Sequence, residues 1–293
     1  MRARGANAVY LPDVRFPSNL SVTDDLAAAL AGTEFIVSAV PSHGTREILR
    51  RAGPHVHRGA TIVSATKGLE QDTLLRVSEI MTQELGDVAN VAVLSGPSFA
   101  AELARELPTA VSIASRDSQV VQRVQQEFRA PYLRLYGTDD VVGVEIGGAL
   151  KNIIAIAAGM VEGLGLGHNA LAGLITRGLA EMSRLACAAG AKRETLSGLT
   201  GLGDLVLTCT GDLSRNRRVG LALARGASLA AALDELGHVA EGVPAAAAVR
   251  ALSRHHGVEM PICDAVYRVV YEGEAPRDAV LRLLQREPRS EQQ

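Results

Sequence analysis

The first half of the chain alternates short apolar runs with helical patterns, and this alternation restricts the fold more than any other feature. Five runs are predicted to be strands: 34–41, 60–66, 91–94, 109–114 and 132–136. Five helical patterns accompany them: 24–31, 45–52, 72–85, 99–107 and 118–128. Strands that are apolar nearly throughout and are separated by helices are typical of a parallel sheet covered on both faces. The sequence therefore predicts a doubly wound α/β unit.

The second half has a different character, because no convincing strand follows Gly143. A helix is predicted over 169–189, with Asn169 as its N-cap and Gly190 at the C′ position. Further helices are predicted over 217–225, 228–236, 244–256, 262–271 and 276–285. The sequence thus predicts an α/β domain over 1–142 and an all-helical domain over 143–293, as the length of 293 residues favours.

Composition narrows the class of protein. The 30 basic and 32 acidic residues give no basic surplus of the kind that nucleic-acid binding requires. Three cysteines, Cys187, Cys209 and Cys263, are far apart and odd in number, which suits a reducing cytosol and not a disulfide framework. The histidines lack acidic or cysteine partners at ligand spacing. We therefore expect a cytoplasmic protein with neither a metal site nor a nucleic-acid partner.

One segment, 141–161, is apolar enough to raise the question of a membrane span. Glu145 and the pair Lys151-Asn152 lie within it. A charge at the centre of a membrane helix costs about 2.5–3.5 kcal/mol on insertion scales. The basic N-terminus is not followed by the apolar core of a signal peptide. We interpret the segment as a buried helix of a soluble protein.

The usual phosphate-binding fingerprint of a dinucleotide domain is not found. Such a domain opens with a strand, the spacing G-x-G-x-x-G and a helix. Two glycine-rich strings, Gly163 to Gly167 and Gly198 to Gly203, both lie in the helical half. We interpret the first as a loop between helices and neither as a fingerprint.

Polar residues follow three predicted strands, at the edge where open α/β sheets bind ligands. They are Ser42, Lys67 and the turn from Gly96 to Ser98. Lys67 is either an ammonium directed into the crevice or a solvated loop lysine. Ser98 is predicted to cap the helix that follows, where free N–H groups favour an anion, and capping alone is the other interpretation.

Lys151 is the most informative residue, because it interrupts an apolar helix. A buried lysine is disfavoured unless it is paired or functional, and burial lowers its pKa towards the range of a general base. The alternative is a lysine that extends from the helix edge to water.

A third group of candidate residues starts at Asp204 and continues at 212–218, where Ser214 is predicted to cap a helix from Arg215. Its arginines, Arg215, Arg217 and Arg218, form either a phosphate clamp or a solvated charge run.

These motifs, in this order, resemble the bacterial-type NAD(P)-dependent glycerol-3-phosphate dehydrogenases. The resemblance extends from about Tyr10 to about Leu283. The matching strings are 39–42 (AVPS), 65–68 (ATKG), 94–100 (LSGPSFA), 145–152 (EIGGALKN), 198–204 (GLTGLGD), 214–217 (SRNR) and 239–242 (VAEG). Ordered strings across most of the chain are far more specific than any single one.

The resemblance implies the interconversion of sn-glycerol 3-phosphate and dihydroxyacetone phosphate with NAD or NADP, for glycerophospholipid synthesis. It implies a truncated Rossmann-like dinucleotide-binding domain followed by the all-helical substrate domain. By the family pattern, Lys151 is the proton-accepting catalytic lysine. Substrate-contacting positions are Lys67, Gly96, Ser98, Lys151, Asp204, Ser214, Arg215 and Asn216. Positions that contact the dinucleotide are Lys67, Ala100, Arg215, Val239 and Glu241.

The sequence departs from the family at its front, where on the order of forty residues holding the first βαβ unit have no counterpart. Our first hypothesis is a start codon placed too late. An inactive truncated relic with an exposed sheet edge is a second interpretation, and a related β-hydroxyacid dehydrogenase is a third. A small-molecule substrate is the expected partner, with no membrane span and a homodimer as the candidate assembly. The preference for NAD or NADP stays open.

Overall fold

The computed structural model describes residues 1–237, 239–288 and 290, and a five-stranded sheet organises the first half of the chain. The strands lie side by side in chain order: β3 (Phe35–Ser38), β4 (Thr61–Ser64), β5 (Asn90–Ser95), β6 (Thr109–Ala114) and β7 (Leu133–Thr138). All five strands predicted from the sequence are present. A two-stranded hairpin that the sequence did not predict precedes them, β1 (Ala6–Asn7) with β2 (Leu11–Arg15).

The predicted parallel arrangement is wrong for one pair of neighbours. β5 and β6 run antiparallel, with Val93 opposite Ala114, whereas the other three pairs are parallel. Parallel strands need a crossover of about a dozen residues or more, usually a helix that packs across the sheet. Between Ser95 and Thr109 the structure has one turn of helix, α4 (Ala100–Leu103), and the chain returns at the same end of the sheet.

Helices cover the two faces of the sheet, as the apolar strands predicted. They are α1 (Leu26–Leu30), α2 (Thr45–Ala52), α3 (Val77–Leu85) and α5 (Ser118–Glu127). Neighbouring residues of β4 divide between two hydrophobic clusters: Ile62 packs with Ile80 and Met81, and Val63 packs with Ile113 and Val124. This division follows from the alternation of side chains along a strand. The doubly wound fold class is confirmed.

The second half is helical throughout the residues described. Its helices are α6 (Val141–Gly163), α7 (Gly167–Ala188), α8 (Arg193–Ser197), α9 (Asp204–Thr210), α10 (Arg215–Ala224), α11 (Leu229–Leu236), α12 (Gly242–His255), α13 (Pro261–Tyr271) and α14 (Pro276–Leu284). By length and composition α6 could cross a membrane, yet 89% of its most apolar window is buried inside the fold. The helix lies at the centre of the core. The sequence predicted a buried helix here because Glu145 and Lys151 disfavour a membrane span.

The start of α7 differs from the prediction. We expected Asn169 to be the N-cap, but the helix begins at Gly167 with Leu166 in that position. Gly165 and Gly167 have positive φ angles of 68° and 81°, which reverse the chain so quickly that the helix starts earlier. The glycine-rich string is a loop between helices, as predicted. Gly190 follows the C-cap at φ 95°, which confirms the predicted end.

Glycines allow α10 to cross α6 at very short range. A Cβ on Gly159 would lie 1.9 Å from the carbonyl oxygen of Arg217, and one on Gly220 would lie 1.9 Å from that of Ile156. The crossing fixes α10 along the middle of α6. It therefore determines where the segment that begins at Ser214 lies relative to Lys151.

We expect Gly220→Ala to destabilise the protein, because the new methyl group must separate the two helices. Overpacking of this kind costs about 1–3 kcal/mol, and occasionally more. Urea unfolding followed by circular dichroism measures the change. The control is Gly173→Ala, since a Cβ there has no neighbour within 4 Å and alanine should stabilise a helix interior by about 0.5–1 kcal/mol. Equal stability of the Gly220→Ala variant and the parent would contradict the crossing.

Candidate active site

Helix α6 places Lys151 in the interior of the protein. The residue is only 6% exposed, and apolar residues such as Leu150, Ile153 and Ile154 surround it along the helix. Its Nζ donates hydrogen bonds to Asp204 Oδ1 at 2.5 Å and to Thr208 Oγ1 at 2.9 Å. The alternative of a lysine that reaches from the helix edge to water is therefore wrong.

Asp204 joins two ammonium groups. Its Oδ2 accepts a hydrogen bond from Lys67 Nζ at 2.6 Å, while Oδ1 contacts Lys151. Asp204 is the first residue of α9 and is 1% exposed. The sequence contains three lysines in all, so two of the three converge on one buried carboxylate.

Lys67 lies at the carboxyl end of β4, directed into the crevice as one of the two interpretations predicted. Its Nζ also donates to the carbonyl oxygen of Gly96, 3.3 Å away, in the turn after β5. A Cβ on Gly148 of α6 would lie 2.9 Å from Ser95 Oγ and 3.5 Å from Lys67 Cγ. The absence of a side chain at 148 thus lets α6 approach the strand ends closely enough for the two lysines to share Asp204.

Burial and the neighbouring charges shift the pKa of both Lys151 and Asp204. Burial lowers the pKa of Lys151 to about 7, the charge of Lys67 acts in the same direction, and Asp204 opposes both. Burial would raise the pKa of Asp204, but the charges of Lys67 and Lys151 outweigh it and hold that pKa below its usual value. At neutral pH the Lys151 amine can therefore accept or release a proton beside a carboxylate that stays ionised.

A second network of hydrogen bonds lies between Asn152, which follows Lys151 on α6, and the residues after the end of β3. Asn216 Nδ2 donates to Asn152 Oδ1 at 3.0 Å, and Asn216 Oδ1 accepts from the backbone N–H of Gly242 at 2.9 Å. Beside it, Ser42 Oγ donates to Glu241 Oε2 at 2.9 Å. The segment 239–242 and the N-terminus of α10 are thereby held against the strand ends.

The N-terminus of α10 has the predicted form. Ser214 is the N-cap, and its Oγ accepts from the backbone N–H of Arg217 at 3.2 Å. Arg215 begins the helix and is exposed. Of the other two arginines, Arg217 pairs with Glu162 and Asp212, and Arg218 lines a separate small cavity between α10 and α11. Arg215 is the arginine that remains for an anion beside Asn216.

Three further predicted residues, Ser98, Ala100 and Val239, lie on the turn after β5 and beside Glu241. Ser98 does not cap a helix: its Oγ donates to the carbonyl oxygen of Gly96 at 3.0 Å, and Phe99 holds the N-cap position of α4. With only four residues, α4 offers no extended row of free N–H groups. Ala100 is its first residue, exposed on the same turn, and Val239 is 39% exposed next to Glu241.

Two buried hydroxyl groups lie at the strand ends, the edge where open α/β sheets bind ligands. Ser64 Oγ and Ser95 Oγ, at the ends of β4 and β5, are buried without a hydrogen-bond partner among the described residues. Gly68 has φ 151°, and a Cβ there would lie 2.8 Å from Ser42. These residues fit a polar ring and ribose in the crevice. The sequence offers no glycine-rich turn after a strand for a pyrophosphate.

A large cavity lies away from the lysine pair. It has a volume of about 1220 Å³ and is bounded by α6, α7, α13 and α14. Glu181 lies in its wall, where its carboxylate accepts from the N–H groups of Ile262 and Cys263, and burial raises the pKa of this group to about 7. The cavity is not lined by Lys67, Lys151, Asp204 or Arg215. We place the chemistry at the lysine pair, because ionisable groups converge there.

Reasoning from the residues alone missed two features of the site. It grouped Asp204 with the arginines that follow, whereas the structure places this carboxylate between the lysines. It also missed Thr208, which holds the Lys151 amine from one turn further along α9. The spacing of Asp204 and Thr208, four residues apart on one helix face, was the available signal.

Comparison with known proteins shows which family this chain is similar to. A family model described as NAD-dependent glycerol-3-phosphate dehydrogenase N-terminus matches residues 1–121, and the C-terminus model matches 140–281. A glycerol-3-phosphate dehydrogenase [NAD(P)+] of Anaeromyxobacter dehalogenans is 52% identical over 97% of this chain and 86% of its own. One from Geobacter metallireducens is 50% identical over 99% of this chain and 88% of its own.

Solved structures show the same likeness. The crystal structure of glycerol-3-phosphate dehydrogenase from Coxiella burnetii superposes with a TM-score of 0.94 at 45% identity, covering 98% of this chain and 87% of that one. That coverage includes both the sheet and the helical half. The lysine pair and the arginine-bearing helix thus lie in a fold that this relative shares.

Proposed function

Because the chain belongs to the NAD-dependent glycerol-3-phosphate dehydrogenase family, we propose that its lysine pair interconverts sn-glycerol 3-phosphate and dihydroxyacetone phosphate. The observation that carries the proposal is the buried Lys151 amine, which shares Asp204 with Lys67 at 2.5 and 2.6 Å. Of the alternatives raised by the sequence, a related β-hydroxyacid dehydrogenase receives no support from these relatives. A small phosphorylated alcohol is the substrate class.

In the proposed oxidation, neutral Lys151 accepts the proton of the C2 hydroxyl group while a hydride leaves C2. The resulting C2=O double bond is the ketone of dihydroxyacetone phosphate. The nicotinamide ring, when bound, supplies the chemistry of hydride acceptance and donation. In the reverse direction the Lys151 ammonium donates the proton to the ketone oxygen. Lys67 remains near the same oxygen and stabilises the negative charge that develops on it.

Asp204 orients both amines, and Thr208 holds Lys151 from the other side. The N-terminus of α10 is our proposed phosphate site, because Ser214 caps it and Arg215 is exposed beside it. A helix N-terminus and a guanidinium together favour a phosphate dianion. Gly96, Ser98 and Asn216 complete the proposed substrate contacts between the lysines and Arg215.

The cofactor is NAD or NADP, as for the family. We propose that Lys67, Ala100, Arg215, Val239 and Glu241 contact it, since these residues border the crevice beyond the strand ends. We also propose that residues 1–142 form the dinucleotide domain and 143–293 the substrate domain, with the site where α6 meets the sheet. Cytoplasmic location and a homodimer belong to the same proposal.

The test begins with cofactor binding, because no glycine-rich fingerprint is present in the sequence. NADH and NADPH are titrated into the purified chain and followed by nicotinamide fluorescence. Oxidation of the bound cofactor is then measured with dihydroxyacetone phosphate, with dihydroxyacetone, and with a panel of 3-oxo acids, the carbonyl forms of 3-hydroxy acids. We expect turnover with the phosphorylated ketone alone. Turnover of a 3-oxo acid, without any turnover of dihydroxyacetone phosphate, would refute the proposed substrate.

Arg215→Ala should raise the KM for dihydroxyacetone phosphate with a smaller effect on kcat, because the phosphate is distant from the reacting carbon. A hydrogen bond to a charged group contributes about 1.5–3 kcal/mol, so the expected rise is about 10–100-fold. Initial rates over a range of substrate concentrations give both constants. Arg218→Ala on the same helix is the control and should change neither. A raised KM in the control and none in Arg215→Ala would place the phosphate elsewhere.

A further inference from the structure

A buried ion pair connects the two segments that carry the site lysines. Glu145 of α6 is 5% exposed, and its Oε2 accepts from the Arg76 guanidinium at 2.7 Å. Its two oxygens also accept from the backbone N–H and the Oγ of Ser78, at 2.7 and 2.6 Å. The carboxylate is thus fully engaged by the residues at the N-terminus of α3.

Arg76 closes the loop that follows Lys67. After β4 the chain passes through Lys67 and Gly68, and Leu69 then forms an antiparallel bridge with Arg76. The backbone N–H of Glu70 also donates to the carbonyl oxygen of Leu75 at 3.0 Å. Lys67 therefore lies two residues before a closed loop, and the end of that loop is anchored on α6 by Glu145.

Glu145 and Lys151 belong to the same helix. They are six residues apart, which corresponds to about 9 Å along the axis at 1.5 Å per residue. A buried helix is stiff over this distance. Fixing the Lys67 loop at Glu145 therefore fixes it relative to Lys151 as well.

A buried ion pair commonly adds little net stability, which favours a role in positioning for this one. Burial raises the pKa of Glu145, while Arg76 and Ser78 oppose that rise only in part. The desolvation of a buried pair commonly offsets its attraction, so that an apolar pair of similar volume would be about as stable. What an apolar pair cannot supply is a directional contact that specifies one register between the loop and the helix.

We propose that the Arg76–Glu145 pair is a positioning device: it sets the separation of Lys67 and Lys151 around Asp204. This inference rests on the proposed function for its catalytic consequence, but the separation of the lysines is a property of the protein alone. Arg76 and Glu145 are positioning residues, since neither contacts Lys151, Lys67 or Asp204.

The consequence appears in the titration of Lys151. The charged or titratable groups that face its amine are Lys67 from the loop after β4, and Asp204 and Cys209 from α9. If the loop is released, Lys67 withdraws and one cause of the lowered pKa is lost. Asp204 stays beside Lys151 on α9. The pKa of Lys151 should then rise from about 7 by about one unit.

The experiment uses Glu145→Gln, which keeps the shape of the side chain and removes its charge. Because the sequence has three lysines, lysine labelled with ¹³C at Cε gives three resolvable NMR signals, and these are assigned with Lys→Arg variants. The exposed Lys192 is an internal reference. We expect the Lys151 titration to move upward by about one pH unit while the Lys192 titration stays in place. The acid limb of kcat/KM for alcohol oxidation should move by the same amount.

Controls separate positioning from folding. The double variant Arg76→Met with Glu145→Met keeps the buried volume, so it should unfold at a similar urea concentration and yet show the same titration shift. Arg268→Met removes a remote, partly buried pair with Glu274 and should move neither readout. An unchanged Lys151 titration in both Glu145 variants would overturn the inference. If the chain shows no turnover with dihydroxyacetone phosphate, the proposed function fails, but the NMR titration of Lys151 still tests the positioning role of the Arg76–Glu145 pair.

Discussion

Replacing Lys151 with alanine is expected to lower kcat for dihydroxyacetone phosphate by about 10²–10⁴-fold, the usual contribution of a positioned acid–base group. The binding of NADH should change little, because the amine faces Asp204 and Thr208 inside the helical half. Initial-rate kinetics and a fluorescence titration of NADH measure the two effects. The matched control is Lys192→Ala, which removes the exposed lysine that pairs with Asp139, and we expect parental kinetics from it.

The pH dependence should change in a defined direction. Burial holds the pKa of Lys151 at about 7, so the rate of alcohol oxidation should rise as the pH increases through that value and the amine becomes neutral. Ketone reduction needs the ammonium form and should fall over the same range. In Lys151→Ala this limb should disappear, and a small primary amine added to the buffer should restore part of the rate. A limb near pH 7 in the alanine variant would assign the titration to another group.

The fold was largely predictable from the sequence. A strand that is covered on both faces of its sheet is a nearly continuous run of apolar residues, and such runs are easy to identify. All five strands of the sheet and most helices of the second half were identified from apolar runs and periodicity. The apolar runs did not predict that β6 is antiparallel to β5. This orientation depends on whether the segment between Ser95 and Thr109 packs a full helix across the sheet, and that segment has one helical turn. Propensity alone does not decide such a choice.

The site was predictable to the extent that its residues are unusual for their positions. Lys151 in an apolar helix and Lys67 after a buried strand both stand out against a hydrophobic background. Asp204 does not stand out, because an acidic residue near a helix start is commonplace. Its role depends on the fold of α9 against α6, which a single sequence does not disclose. Ser98 and Asn169 were wrong for a related reason: each is a good cap, but its neighbours set the helix start elsewhere.

The scarcity of lysine gives the site a simple electrostatic description. The other 27 basic residues are arginines, whose guanidinium groups stay protonated in proteins. Lysine is the basic residue whose pKa burial can bring to neutrality. Lys151 is thus the basic residue of this crevice suited to moving a proton near pH 7, because its pKa lies at about that value. Arg215 suits the opposite task of holding a permanent charge for a phosphate.

Asp204→Asn tests this description most directly, because asparagine keeps the shape of the side chain and removes the charge that both ammonium groups share. We expect kcat to fall by about 10²-fold or more, since Lys151 loses the partner that orients it. The pKa of Lys151 should fall below about 7, because the carboxylate that raised it is gone while Lys67 remains. The ¹³C signal of Lys151 should therefore titrate at lower pH, opposite to the shift expected for Glu145→Gln.

The same substitution should reduce the free energy of unfolding by about 3–5 kcal/mol, the usual cost of removing one partner of a buried pair. That loss should grow as the pH falls below 7. In the variant the folded protein keeps the Lys151 amine neutral over a wider range, whereas the unfolded chain protonates it, so acid favours unfolding. Asp212→Asn is the control, because Asp212 is exposed and pairs with Arg217 on the surface. An Asp204→Asn variant with parental stability at pH 6 and an unshifted Lys151 signal would mean that the carboxylate is neutral in the folded protein, and the proton-transfer role of the lysine pair would have to be abandoned.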